Sequence, residues 1–294
     1  MSAGTPCPFF QVDVFSARPG TGNPLAVVIG AERFDDAQMQ AIATWNNLAE
    51  TTFLLPPTMA GADYRVRIFT TRREISFAGH PSIGSAHVAR SAGLVDAAAP
   101  MLVQECPAGL LPIRVEVDGP TVLSVRVPRS RIVRRGQPSD VFLTASLSGL
   151  ALGALSPALV EGGRRWWLAE LVDEDEVRRM RPDREAIQRL AEDTDSLGLC
   201  VFARASGSDG HDLVVRAFPV GVGIDEDPAS GAANAAIAAF LDETNSLGAH
   251  AMGYRVSQGR EMGRDAKLVL RFDEDHQVWV GGECQSVVRG TFRW

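Results

Sequence analysis

One lysine, Lys267, stands among the 29 basic residues of this 294-residue chain, and 36 acidic residues leave a net charge of −7. That balance argues against nucleic acid and anionic membranes as main partners, because phosphate binding needs clustered cations. The near-exclusive use of arginine, with abundant alanine and glycine, reflects a GC-rich genome rather than a function. No run approaches the roughly 18 apolar residues of a membrane span. Met1 to Gln11 lacks a basic stretch followed by an apolar one, so no signal peptide is expected. Cys7, Cys106, Cys200 and Cys284 lie far apart without a CxxC pair. The expectation is therefore buried free thiols, no metal site and a reducing, cytoplasmic location. A phosphate loop, an HExxH pair and a G-x-S-x-G elbow are also missing, and Gly20-Thr21-Gly22 lacks the spacing of a dinucleotide fingerprint. What is left, 45% hydrophobic and 22% charged, is the composition of a soluble globular enzyme.

What is present is a weak internal repeat. Residue n resembles residue n + 149 through Leu48/Leu197, Phe53/Phe202, Gly61/Gly210, Asp63/Asp212, Arg67/Arg216 and Phe69/Phe218, and onward without a gap to Ile75/Ile224, Ala86/Ala235 and Ala89/Ala238. Each half reads alike: a helix at 36–45 or 185–194, a short strand at 51–55 or 200–204, then an alternating strand. In the first half Tyr64, Val66 and Ile68 point one way, Arg65 and Arg67 the other. A small-residue helix follows, opening near 80 and near 229, with Pro81 suited to a first turn and Gly93 to a stop. Strand-rich segments fill the remainder, at 101–105, 111–118 and 121–127, and at 254–257, 267–272, 277–280 and 286–293. The expected class is α+β: two pseudo-symmetric lobes, each a β-barrel-like curled sheet around a central helix. The expected lobes are residues 1–125, joined by the last strand at about 284–294, and residues 126–283. The arginine-rich run at 129–135 is read as a surface strand or linker.

A small-residue helix approaches neighbouring backbone closely, and its first N–H groups lack intrahelical partners and favour a carboxylate. If both helix starts faced one cleft they would clamp a small anion there; otherwise they are simply core helices. His80 lies at the first start and Asp227 precedes the second. Either suits catalysis, but an aspartate also suits an N-cap and a lone histidine a structural role. Glu50 precedes a strand, where a solvent-facing carboxylate is the plain alternative. Trp45, Trp166 and Trp167 are read as core, with cleft lining the other possibility.

The segments in order, Asn47-Leu48-Ala49-Glu50-Thr51, Phe77-Ala78-Gly79-His80-Pro81 and Glu226-Asp227-Pro228-Ala229-Ser230-Gly231-Ala232, resemble the motifs of the PhzF-like (phenazine biosynthesis) family. Val12-Asp13-Val14-Phe15 and Gly22-Asn23-Pro24-Leu25 extend the likeness through nearly the whole chain. The resemblance implies the diaminopimelate epimerase-like fold, an active site between the lobes, no cofactor and a homodimer. It implies that Glu50 shuttles a proton, that His80 and Asp227 bind and polarise the substrate, and that Gly79 and Gly231 hold its carboxylate. Ser82, Ser230 and Ala232 complete the expected substrate-binding set. Shifting a double bond along a conjugated acid needs a proton removed from one carbon and returned to another, and one buried carboxyl group can do both. The family often has serine where this chain has Ala232, so Ser230 would have to replace that donor.

The reading is therefore a cofactor-independent isomerase acting on a small unsaturated amino- or imino-acid-like carboxylate, in secondary-metabolite or antibiotic biosynthesis. A racemase on the same fold would use a pair of thiols, and no cysteine lies at either helix start. A serine hydrolase built from Ser82, His80 and Asp227 lacks its elbow. A non-catalytic small-acid binding protein is the alternative from another class.

Overall fold

The computed structural model describes residues 6–205 and 209–294, which divide into two compact units. One comprises residues up to Arg126 together with Gly281–Trp294, the other Val127–Val280. The first contains β1 (Cys7–Val14), β2 (Asn23–Ile29), α1 (Asp36–Asn46), β3 (Glu50–Leu55), β4 (Tyr64–Thr70), β5 (Glu74–Ile75) and α2 (Gly79–Ser91). The hairpin strands β6 (Met101–Cys106), β7 (Gly109–Glu116) and β8 (Val122–Arg126) follow. The second holds β9 (Arg131–Arg135), α3 (Val141–Ser146), β10 (Ala158–Glu161), β11 (Arg165–Glu170), α4 (Glu174–Arg179), α5 (Arg184–Thr194), β12 (Leu199–Arg204) and β13 (Leu213–Phe218). It continues with α6 (Gly231–Glu243), β14 (Gly253–Gln258), β15 (Ala266–Phe272) and β16 (Val278–Gly282), before β17 (Cys284–Phe292) returns the chain to the first unit.

The fold is α+β, and within each unit strands curl around one buried helix. In the first, β17 pairs with β1, β1 with β2, β2 in parallel with β3, β3 with β4, and β4 in parallel with β6. Helix α2 contacts β1, β2, β3, β4, β6, β8 and β17, and nine of its residues from His80 to Ala89 are buried. Small residues allow that enclosure. A Cβ on Gly84 would lie 2.5 Å from Leu25 Cδ2 and 2.8 Å from Val14 Cγ2. Ala92 and Gly93 stop the helix, Gly93 at a left-handed φ of 70°. In the second unit, β9-β10-β11-β12-β13-β14-β15 pair in that order around α6, which touches β9, β10, β11 and β15.

Outside each sheet lies a second layer. Helix α1 packs on β3 and β4 through Met39, Ile42 and Ala43, which join Phe34, Phe53 and Phe69 in one apolar cluster. Helix α5 sets Ile187 and Leu190 into a cluster with Trp167, Leu199 and Phe218. Both helices start at an aspartate cap, Asp35 or Asp183, and end at a left-handed residue, Asn47 or Asp195.

The repeat seen in the sequence is real in three dimensions, but its offset is not constant. Strands β3 and β12 begin at Glu50 and Leu199, and β4 and β13 at Tyr64 and Leu213, both 149 residues apart. Helices α2 and α6 begin at Gly79 and Gly231 and end at Ser91 and Glu243, 152 apart. The three extra residues lie between Phe218 and Glu226, where the second unit inserts a short 3-10 turn at Val220–Val222. The ungapped pairs Ile75/Ile224, Ala86/Ala235 and Ala89/Ala238 are therefore not structural counterparts, because alanine-rich helices match in several registers. Finer details do repeat. Asp63 accepts from Val103 N (2.6 Å) in the first unit and Asp212 from Arg255 N (2.8 Å) in the second.

Trp166 and Trp167 are core, at 2% and 0% exposed. Trp45 is not: it stands 71% exposed on α1 with its ring edge-on to Trp294, so the expectation of a buried Trp45 is corrected. All four cysteines are free and buried. No helix among the described residues is long and apolar enough to cross a membrane.

Candidate active site

In the first unit the route to the site starts where Asn47 ends α1 and turns the chain into β3. Glu50 opens that strand opposite Thr70, and strand alternation puts it on the face shared with Thr52. That face looks at α2, because Ser85 Oγ donates to Thr52 Oγ1 (3.0 Å). Glu50 therefore does not face solvent. Its Oε2 approaches His80 Nε2 at 3.4 Å, with the two side chains only 17% and 9% exposed. His80 sits in the first turn of α2, where its Nε2 is buried and makes no hydrogen bond among the described residues. Burial pushes the His80 imidazolium down to about 3, so the ring is neutral near pH 7. A neutral imidazole beside a carboxyl group can donate or accept one proton at short range.

The same turn shows which neighbours are free to act. Gly79 is the first residue of α2, and its N–H has no acceptor within the helix. Ser82 is fully buried; its hydroxyl donates to Ala78 O (2.9 Å) and accepts from Gln104 Nε2 (2.9 Å). Both of these hydrogen bonds of the Ser82 hydroxyl are to protein groups. Its hydroxyl braces the helix start, and the same engagement removes it as a hydrolase nucleophile.

In the second unit Asp227 is not the helix cap that its residue type allowed. Ser230 caps α6, its Oγ accepting from Ala233 N (3.3 Å), and it still has a hydroxyl proton to donate. Asp227 lies three residues earlier, bridged to Ala217 of β13 by Asp227 N donating to Ala217 O (2.9 Å). Its Oδ1 accepts from Ala229 N (3.1 Å). Gly231 is buried at the first helical position, whereas the Ala232 methyl is exposed and offers no donor.

Two polar residues that motif reasoning missed hold this loop. Gln258, 0% exposed at the end of β14, donates to Asp227 O (2.8 Å) and accepts from Ser230 N (3.3 Å) and Asn234 Nδ2 (2.8 Å). Asn234 also donates to Ser230 O (2.8 Å). Asn234 could have been flagged as the one amide in an alanine helix. Gln258 could not, since nothing local marks a residue whose partners lie some thirty positions away.

Glu50 and His80 are thus brought together in one unit, and Asp227, Ser230 and Gly231 are brought together in the other. Two surface recesses, about 570 Å³ beside Arg65 and Glu105 and about 400 Å³ beside Ser130 and His276, include none of these residues. The site rests on the Glu50–His80 geometry and not on volume. Among the described residues no cluster of three histidine, cysteine or acidic side chains is placed to hold a metal.

Comparison with known proteins identifies the family of the chain. The family model of phenazine biosynthesis-like proteins (PhzC-PhzF) matches residues 12–290. "Antisense-enhancing sequence 1" of Schizosaccharomyces pombe is 32% identical over 96% of this chain and 97% of its own. An uncharacterized isomerase of Pseudomonas aeruginosa is 34% identical over 97% and 98%. The trans-2,3-dihydro-3-hydroxyanthranilate isomerase of Pseudomonas fluorescens is 29% identical over 95% and 97%. Among solved structures, a PhzF-family phenazine biosynthesis protein of Enterococcus faecalis superposes with a TM-score of 0.79 at 26% identity, over 98% and 99% of the two chains. A hydroxyproline epimerase of Agrobacterium vitis shares the fold, with a TM-score of 0.65 at 14% identity over 98% and 92%. The chain belongs to the phenazine biosynthesis-like (PhzC-PhzF) family and is an isomerase of the PhzF kind.

Proposed function

We propose that this isomerase moves a proton, and with it a double bond, within a small unsaturated carboxylate of the amino- or imino-acid type. The observation that carries the reading is the 3.4 Å approach of Glu50 Oε2 to a buried, neutral His80. Glu50 takes the proton from one carbon and returns it to another. His80 stays neutral and directs the carboxyl group by sharing a hydrogen bond with it or with the substrate. As the proton leaves, negative charge spreads onto the substrate carboxylate. In the first unit the first-turn N–H of Gly79 is a donor suited to such a charge; in the second the N–H of Gly231 and the hydroxyl of Ser230 are. Asp227 accepts from the substrate's amino or hydroxyl group, its carbonyl and Oδ1 being fixed by Gln258 and Ala229.

A thiol-pair racemase is disfavoured by the cysteines themselves. All four are buried, and that burial raises every one of their pKa values above the ordinary thiol range, so thiolates are scarce near neutral pH. The cycle uses only protein groups, and EDTA dialysis is expected to leave turnover unchanged. The relatives named for trans-2,3-dihydro-3-hydroxyanthranilate make that compound the first substrate to try, with Ala232 in place of the family's serine favouring related acids as well.

Proton NMR in D2O with that compound and a panel of unsaturated amino and imino acids tests the proposal. Double-bond migration or deuterium uptake is expected with the wild type and is expected to vanish, by at least about 1,000-fold, in Glu50→Gln. Turnover that survives in Glu50→Gln removes Glu50 as the shuttle. Tight binding of a panel acid without exchange in the wild type would instead support a binding protein.

A further inference from the structure

We propose that two arginine–glutamate bridges, the half-buried Arg67–Glu74 and the more deeply buried Arg216–Glu226, are matched positioning clamps that fix the helix-start loops carrying His80 and Asp227. The inference rests on the functional reading above and extends it to residues that never touch substrate.

The geometry is repeated in detail. Arg67 donates from Nε and Nη2 to the two oxygens of Glu74 at 2.8 and 2.6 Å. Arg216 does the same to Glu226, at 2.9 and 2.9 Å. Each guanidinium lies over the phenylalanine two residues on, Phe69 at 5.1 Å and Phe218 at 5.0 Å. Each bridge spans the same two elements, the alternating strand and the short segment before the buried helix. Immediately after each glutamate comes a ladder contact to that strand: Ile68 with Ile75 in the first unit, Ala217 with Asp227 in the second. Each glutamate is five residues ahead of the first helical residue, Gly79 or Gly231. The three-residue insertion in the second unit falls between arginine and glutamate, so the bridge survives a change of loop length. That placement indicates that the bridge, and not the loop, sets where the helix start lies.

The second clamp is the drier one. Arg216 and Glu226 are 6% and 14% exposed, and Arg216 Nη1 also donates to Met180 O (2.7 Å) and Val177 O (3.3 Å). Arg67 and Glu74 are 22% and 31% exposed, with Asp36 as a further partner at 2.7 Å. A planar fork that serves two carboxylate oxygens and two carbonyls cannot be replaced by an ammonium. Since Glu226 is bonded directly to Asp227, a shift of its carboxylate turns the neighbouring peptide and re-aims the Asp227 side chain. A displacement of about 1 Å at such a group costs about 100-fold in turnover.

The test compares Arg216→Lys with the double variant Arg216→Met/Glu226→Leu, which removes both charges of the bridge, while Glu261, 4.0 Å from Arg216, keeps its 2.9 Å bridge to Arg178. In the double variant, amide hydrogen exchange is expected to be at least about tenfold faster at Asp227 and Ala229, with Val214 and Val215 unchanged. With trans-2,3-dihydro-3-hydroxyanthranilate as probe, kcat should fall about 100-fold while KM stays within about threefold. Arg216→Lys should lose as much, because the charge alone does not clamp. Arg67→Met/Glu74→Leu should act likewise, read at the Ile75 and Ser82 amides. Wild-type exchange at the loop amides, or a wild-type kcat in the double variants, overturns the proposal. If the wild type turns over neither this probe nor any acid of the panel, the functional reading fails, and the exchange data still decide the clamp.

Discussion

Glu50 and His80 show how far a single residue's chemistry depends on what surrounds it. As letters they are an acid before a strand and a histidine beside a proline. Buried together, the ring loses its charge, and this has a measurable cost. The His80 imidazole titrates at about 3 when folded against an ordinary 6.5, so between those values the unfolded chain binds the extra proton. Its contribution to stability is whole above about pH 6.5 and is lost as the pH falls toward 3, at up to about 1.4 kcal/mol per pH unit. Urea unfolding of the wild type and of His80→Asn at pH 7, 6, 5 and 4 should show a shallower decline in the variant. Parallel declines would mean that the ring is not held neutral. Ser82 makes the converse point. Its letter fits a substrate donor, yet two hydrogen bonds already occupy the hydroxyl, a fact set by Gln104 from another strand.

The small-residue helices carry the argument at the level of elements. Alanine and glycine content marked both of them in the sequence, because only small side chains allow a helix to sit inside a curled sheet. Gly84 is a point of close approach on α2. A valine there would meet Leu25 and Val14, both buried, and should destabilise the protein by about 3 kcal/mol through overpacking, read as a drop in the urea midpoint. Little change on Gly84→Val would mean that α2 is not closely enclosed. At the start of α6, Ser230→Ala removes a cap and should cost about 1 kcal/mol of stability, together with a larger loss of turnover if its hydroxyl also serves the substrate. A stability loss with unchanged turnover would restrict Ser230 to capping. Element boundaries were mostly readable, since alternation in β4 and small-residue content in α2 are local signals. The cap of α6 was not, because Asp227 and Ser230 are both good cap residues and only the backbone path chooses between them.

For the whole molecule, the repeated scaffold carries chemistry that is not repeated. The strand and helix counterparts of Glu50 and His80 are Leu199 and Ala232, and those of Asp227 and Ser230 are Ile75 and Ala78. Duplicated architecture thus supplies two helix starts, and substitution specialises each. The last strand belongs to the first unit and pairs along all of β1. A chain ending at Glu283 should therefore lose exchange protection in β1 and β2 while β12 and β13 keep theirs; uniform loss would show that the units do not open separately. The amino-acid sequence by itself determined the class of fold, the repeat and the motifs, because periodicity and small-residue content are properties of neighbouring residues. Only the tertiary structure decided that His80 is neutral beside Glu50, that the Ser82 hydroxyl is bonded to Ala78 and Gln104, that Gln258 and the two arginine–glutamate clamps hold the helix starts, and that the repeat shifts from 149 to 152 residues. Each of these depends on burial and on partners distant in the chain, and no local pattern encodes them.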